Sequence, residues 1–113
     1  SEVEIWGSGK PIREWLYVED GARSLIKALS LNPGNYLFNV GVNKGASIIE
    51  IADMIANEFS WDGKFVFDIN RPDGVLKKTV NGNLGKKILN WSPEVKLIKG
   101  IENTVKWYQT NYE

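Results

Sequence analysis

The 113-residue sequence contains no cysteine and no histidine. The first absence excludes disulfides, thiolate nucleophiles and cysteine-based zinc sites; the second excludes imidazole as a general base or metal ligand. No stretch approaches the ~18–20 continuous apolar residues of a bilayer-spanning helix. Nor does a basic segment followed by an apolar run mark a secretory leader. The expectation is a cytoplasmic protein with no membrane partner. Net charge is missing as well: fourteen Lys/Arg balance fourteen Asp/Glu, so no global field draws the chain to nucleic acid.

What is there suits one domain over residues 1–113. The 42% hydrophobic and 25% charged residues are the composition of an ordinary globular protein with a core of its own. The chain opens on Ser1-Glu2-Val3 and runs almost at once into strand-like sequence, so it reads as a cut edge. Charge is uneven along it. Residues 1–70 carry six basic and ten acidic side chains, residues 71–106 eight and three. An anionic ligand is expected near the second segment, although lysines on solvated helix faces explain many of those charges.

The pattern alternates short strands with helices. Val3 to Trp6 alternates as a half-buried strand does, and Trp15 to Val18 is a second extended candidate. Glu19-Asp20 opens a helix whose apolar face is Ala22, Leu25, Ile26 and Leu29. Asn32 to Asn35 stops it, and Tyr36 to Gly41 reads as a buried strand. Ser47 and Glu50 have the spacing of a capping box, ahead of a helix face of Ile48, Ile51, Ala52, Ile55 and Phe59. Lys64–Asp68 and Lys77–Val80 are further strands, with Arg71-Pro72-Asp73-Gly74 a turn between them. A short helix spans Leu84 to Leu89. The last helix carries Leu97, Ile101, Val105, Tyr108 and Tyr112 on one face. The strands are too few and short for an open doubly wound sheet.

Catalytic motifs are absent from these residues. Gly7-Ser8-Gly9 has Ile12 where a third glycine would complete G-x-G-x-x-G, Gly9-Lys10 runs into Pro11 rather than Ser or Thr, and no tyrosine is followed four places on by lysine. Two recognition segments remain. In the first, Trp6 stands beside a glycine loop and Arg13 follows, an indole for a flat group and a fork for phosphate. The same residues would equally serve the fold, Trp6 as a core plug and Arg13 paired with Glu14 or Glu19. In the second, the turn holds Asp73, with Lys77-Lys78 close behind. Asp73 can face a ligand or cap its own turn. The loop asparagines Asn39 and Asn43 are expected to be structural.

Four pieces in order carry a resemblance: Trp6-Gly-Ser-Gly-Lys-Pro-Ile-Arg13-Glu14-Trp-Leu-Tyr-Val-Glu19-Asp20, Phe38-Asn-Val-Gly41, Phe67-Asp-Ile-Asn-Arg-Pro72-Asp73-Gly74 and Leu89-Asn-Trp91-Ser-Pro93. Together they resemble the C-terminal part of an extended short-chain dehydrogenase/reductase of the NAD-dependent epimerase/dehydratase family, on the side of its GDP-sugar enzymes. The resemblance implies an α/β fold: a small C-terminal substrate-binding lobe of short strands and about four helices, lacking the Rossmann domain. It implies that Trp6 and Arg13 contact the nucleotide diphosphate of a sugar nucleotide, GDP-sugar favoured, that Asp73 holds a ribose or sugar hydroxyl, and that Lys78 lies nearby. No catalytic residue and no metal site falls in the chain. NAD or NADP would be bound by the N-terminal Rossmann domain of the parent enzyme, with none on this lobe. A homodimer is compatible with this picture. The competing expectations are a polyanion- or nucleic-acid-binding module using the dispersed lysines, and a structural interaction domain.

Overall fold

The computed structural model describes residues 1–113. Its elements are β1 (Glu2–Trp6), β2 (Ile12–Glu14), α1 (Val18–Leu29), β3 (Gly45–Ser47), α2 (Ile48–Glu58), β4 (Lys64–Asp68), β5 (Lys77–Lys78), α3 (Asn83–Leu89) and α4 (Leu97–Tyr112). The chain is α/β with four helices and short strands. β1 and β4 form a parallel pair, Glu2 opposite Lys64 and Trp6 opposite Asp68. β2 sits at the centre of a second sheet, antiparallel to β3 and parallel to β5.

Alternation sets the faces of β1: Ile5 is buried, while Glu2, Glu4 and Trp6 point outward. Ser47 caps α2 as its spacing predicts. Its hydroxyl accepts from Glu50 N, and Glu50 Oε2 in turn accepts from Ser47 N at 2.6 Å. The bond from Ser47 N–H, and second the one that the Ser47 hydroxyl donates to Oε2 at 2.9 Å, hold the Glu50 carboxyl below its ordinary pKa. α2 packs on α4, and α1 on α3. The buried apolar residues are Ile5, Ala46, Ile51, Leu89, Trp91 and Val105. Beside them a groove of about 700 Å³ runs between α2, α4 and residues 15–18.

Asp20 organises the end of α1 that faces α3. It is 1% exposed, and its carboxylate accepts from Glu94 N, Val95 N and Arg23 Nη2 at 3.0, 3.0 and 2.6 Å. The buried Trp91 indole donates to the Asp20 carbonyl at 3.0 Å. Burial opposes ionisation of Asp20. Arg23 and the two backbone N–H groups outweigh it, holding the carboxyl below the usual aspartate range.

Three sequence expectations need correction. Residues 15–17 are not a strand: β2 ends at Glu14, and Trp15, Leu16 and Tyr17 line the apolar groove instead. Residues 36–41 are in no sheet, and Leu37 is 93% exposed. The composition is that of a strand, but no strand of this chain lies alongside to bond it. Finally, the apolar face of α1 is not buried, with Leu25 at 71% and Leu29 at 86% exposure.

The shape follows from these open faces. The surface is 8350 Å², against about 6,300 Å² for a compact monomer of this mass. The radius of gyration is 16.8 Å, where about 13 Å is usual for the length.

Candidate functional site

The site is built on the loop between β1 and β2, the turn that follows β4, and β5. Gly7 lets the loop turn with φ +77°, and an added Cβ there would strike the Asp73 carboxylate. The loop is latched to the turn through Ser8. Its N–H donates to Asp73 Oδ1 at 2.6 Å and its hydroxyl to Asp73 Oδ2 at 2.7 Å. The hydroxyl bond, then the backbone bond, lowers the pKa of Asp73. Asp73 thus neither caps its own turn nor stands free. It is a half-buried staple between two loops, and a ligand hydroxyl would have to use its remaining lone pairs.

Arg13 is paired with neither Glu14 nor Glu19. Its Nη1 donates to the carbonyls of Ile12 at 2.9 Å and Val75 at 2.7 Å. These bonds fix the fork beside the Pro-Asp-Gly turn, and Nε and Nη2 remain without a protein acceptor. Arg13 and Lys78 are direct register partners across the parallel β2–β5 pair, so the two side chains leave one face of the sheet together. Neither forms a salt bridge, although five other basic–acidic pairs exist in the chain. With Leu16, Val40, Thr79 and Glu14 they border a pocket of about 270 Å³. Two adjacent cations without a carboxylate partner have the charge and the donors to suit an anion.

Trp6 is no core plug. It is 65% exposed, its Nε1–H donating to Glu4 Oε1 at 2.8 Å. The Arg71 guanidinium lies 4.5 Å from the indole centroid.

Sequence reasoning missed Glu14. Its Oε1 accepts from the backbone N–H groups of Val42 and Asn43, the latter at 2.8 Å, and its Oε2 from Val80 N at 2.7 Å. It therefore ties the segments after Val40 and after Lys78 to β2, one position from Arg13. No local pattern signals this, since all three donors come from segments more than 25 residues away in sequence. Asn43 is structural as expected, accepting from Gly82 N at 2.6 Å. No group of acidic side chains is arranged to hold a metal ion, and no helix is long and apolar enough to cross a membrane.

Known proteins resemble this chain in sequence and fold. Residues 1–41 match the NAD dependent epimerase/dehydratase family. A GDP-L-fucose synthase from Azorhizobium caulinodans is 39% identical over 114 aligned positions, covering 98% of this chain and 36% of that protein. The crystal structure of a GDP-L-fucose synthetase from Naegleria fowleri bound to NADP superimposes with a TM-score of 0.90 at 29% identity, over 99% of this chain and 36% of that one. A UDP-glucose 4-epimerase from Thermotoga maritima, solved with UDP-glucose, gives 0.90 at 28% identity, over 99% of this chain and 36% of that one. The chain spans about a third of the length of the curated relatives it matches.

In sequence and fold the chain is similar to the NAD dependent epimerase/dehydratase family. Within that family its similarity runs to the GDP-L-fucose synthases and related nucleotide-sugar enzymes.

Proposed function

We propose that residues 1–113 act as the nucleotide-sugar-binding lobe of an NAD(P)-dependent epimerase or reductase, with a GDP-4-keto-6-deoxy-sugar as the favoured substrate class. The observation that carries the reading is the side-by-side pair Arg13 and Lys78, unpartnered by any acid and held by Val75 and the β2–β5 register. In this role the pair clamps the diphosphate. Trp6 offers an exposed ring to the base, and Asp73 works chiefly by locking Ser8 and the loop under the ligand. The similarity to GDP-L-fucose synthases supports a GDP-sugar.

The lobe's contribution is to position rather than to react. Binding energy from the non-reacting nucleotide holds the sugar for chemistry carried out elsewhere. The 113 residues contain neither a glycine-rich dinucleotide loop nor a Tyr-x-x-x-Lys pair, so NAD(P) and the proton-transfer groups are assigned to an N-terminal Rossmann domain. That domain would cover Leu25, Ile26 and Leu29 and pair with the unbonded segment 36–40. Both features are ones an isolated domain would bury. The backbone of residues 36–40, without hydrogen-bond partners in this chain, is available for sheet pairing, and the α1 face is an unpartnered apolar stripe.

The test is a titration of the 113-residue chain with GDP and with inorganic pyrophosphate, followed by NMR. Both are expected to shift resonances of residues 13 and 78, and Arg13→Ala and Lys78→Ala each to remove most of the effect. Unchanged binding in Arg13→Ala would refute the clamp. A turnover of nucleotide sugar with NAD(P) by these 113 residues would refute the division of labour.

A further inference from the structure

The Trp6–Arg71 pair is not used by the phosphate clamp, yet it is the most constructed feature of the exposed surface. Trp6 is the most exposed of the five tryptophans, and nevertheless its indole is fixed by polar partners. Glu4 holds its N–H edge at 2.8 Å. The Arg71 guanidinium covers one face at 4.5 Å. Arg71 is itself anchored, with Nε 3.4 Å from Asp68 Oδ2 and its backbone N–H donating to the Asp68 carbonyl at 3.1 Å. Asp68 is in turn the register partner of Trp6 across β1 and β4, so the turn after β4 folds Arg71 back over the ring beside its own strand.

An exposed cation–π contact adds little to fold stability. It does order the ring before any ligand arrives. With one face and one edge occupied, the opposite face is what remains in water, and it is the face a planar group would stack on.

We propose that Arg71 is a positioning residue that presents the open face of Trp6 to the nucleobase of the nucleotide, setting affinity for the base and leaving the diphosphate contacts unaffected. This rests on the nucleotide-binding reading above.

The experiment is a heteronuclear NMR titration of the 113-residue chain with GDP and, separately, with inorganic pyrophosphate. It follows the Trp6 indole N–H, assigned by Trp6→Phe, in the wild type, Arg71→Ala and Arg13→Ala. GDP is expected to move the Trp6 indole resonance and pyrophosphate to leave it in place. Arg71→Ala is expected to raise the Kd for GDP about two- to tenfold, the effect of having to order one side chain on binding, and to leave the Kd for pyrophosphate unchanged.

Equal GDP affinity in Arg71→Ala and wild type, with Arg13→Ala still impaired, overturns the Arg71 role and spares the clamp. Parallel weakening of GDP and pyrophosphate also overturns it, by making Arg71 a general phosphate cation. Absence of any shift in the wild type with either ligand overturns the nucleotide reading and this inference with it.

Discussion

Glu14 is one carboxylate on which three backbone N–H groups converge, from Val42, Asn43 and Val80. The exchange Glu14→Gln keeps its shape and removes its charge. The amide can retain the two bonds at Oε1, but it then turns an NH₂ toward the Val80 N–H, a donor facing a donor. Hydrogen bonds to a charged acceptor contribute roughly 1.5–3 kcal/mol and those to a neutral one roughly 0.5–1.5. Loss of one bond and weakening of two would therefore come to about 3–5 kcal/mol in a dry interior. Glu14 is only half-buried, so water replaces part of what is lost and about 2 kcal/mol is expected. Urea unfolding followed by circular dichroism measures the stability, and amide exchange at residues 42, 43 and 80 locates the change. Exchange at Val80 should accelerate most. Pyrophosphate binding should weaken too, because Val80 anchors the strand end that carries Lys78. A stability change within about 0.5 kcal/mol, with the Val80 amide as protected as before, would refute the view that Glu14 holds the cationic strand pair in place.

Two further outcomes follow from the packing. Asp20→Asn should lower stability at neutral pH by about 1.5–3 kcal/mol, since a buried charged acceptor of three donors becomes neutral. The Asp20 pKa is depressed on folding below the ordinary aspartate value of 3.8, so its contribution is fully present above that value and is lost as pH falls through the folded pKa. Acid titrations of the two proteins should accordingly converge below about pH 4, and a constant gap at all pH values would contradict the assignment. Replacing Leu25 and Leu29 by serine should change the stability of the 113-residue chain by less than about 0.5 kcal/mol each while reducing self-association in sedimentation velocity. Destabilisation well beyond that would mean the α1 face is packed within this chain.

Much of the fold was legible wherever a pattern is enforced by neighbours in this chain. The Ser47–Glu50 cap forms as read, and so do the inner parts of two faces, Ile5 on β1 and Val105 on α4, although Val3, Tyr108 and Tyr112 on those faces stay exposed. The readings that failed share a cause. Tyr36 to Gly41 has the composition of a buried strand, and Leu25, Ile26 and Leu29 the spacing of a buried face, but composition does not say where the partner surface comes from. Trp15 to Tyr17 failed differently, because apolar residues after a strand can enter a helix groove as readily as extend a ladder. At the site, Arg13 and Lys78 could be named as candidates from the sequence but not their register, which only the parallel pairing of β2 and β5 supplies. At Asp73 spacing could not show the two bonds from Ser8, 65 residues away, and nothing local signals them.

In the proposed role, the exposure of these same groups sets how tightly the 113 residues alone would hold a nucleotide. Two charge-assisted contacts from Arg13 and Lys78 contribute roughly 1.5–3 kcal/mol each when shielded and less in open water. Stacking on Trp6 adds roughly 1–3 kcal/mol. Association itself costs about 4 kcal/mol or more in lost translational and rotational freedom. The balance leaves about 1–4 kcal/mol, a Kd of about 1 mM or weaker. A second domain closing over the ligand would exclude water from the Arg13–Lys78 face and add contacts without a second loss of translational freedom, so the same residues would then bind far more tightly. A millimolar Kd for GDP on the 113-residue chain is therefore the expected result of the titration. A low-micromolar Kd would mean that the site is complete within these residues, and that the open faces of α1 and of residues 36–40 have no part in nucleotide binding.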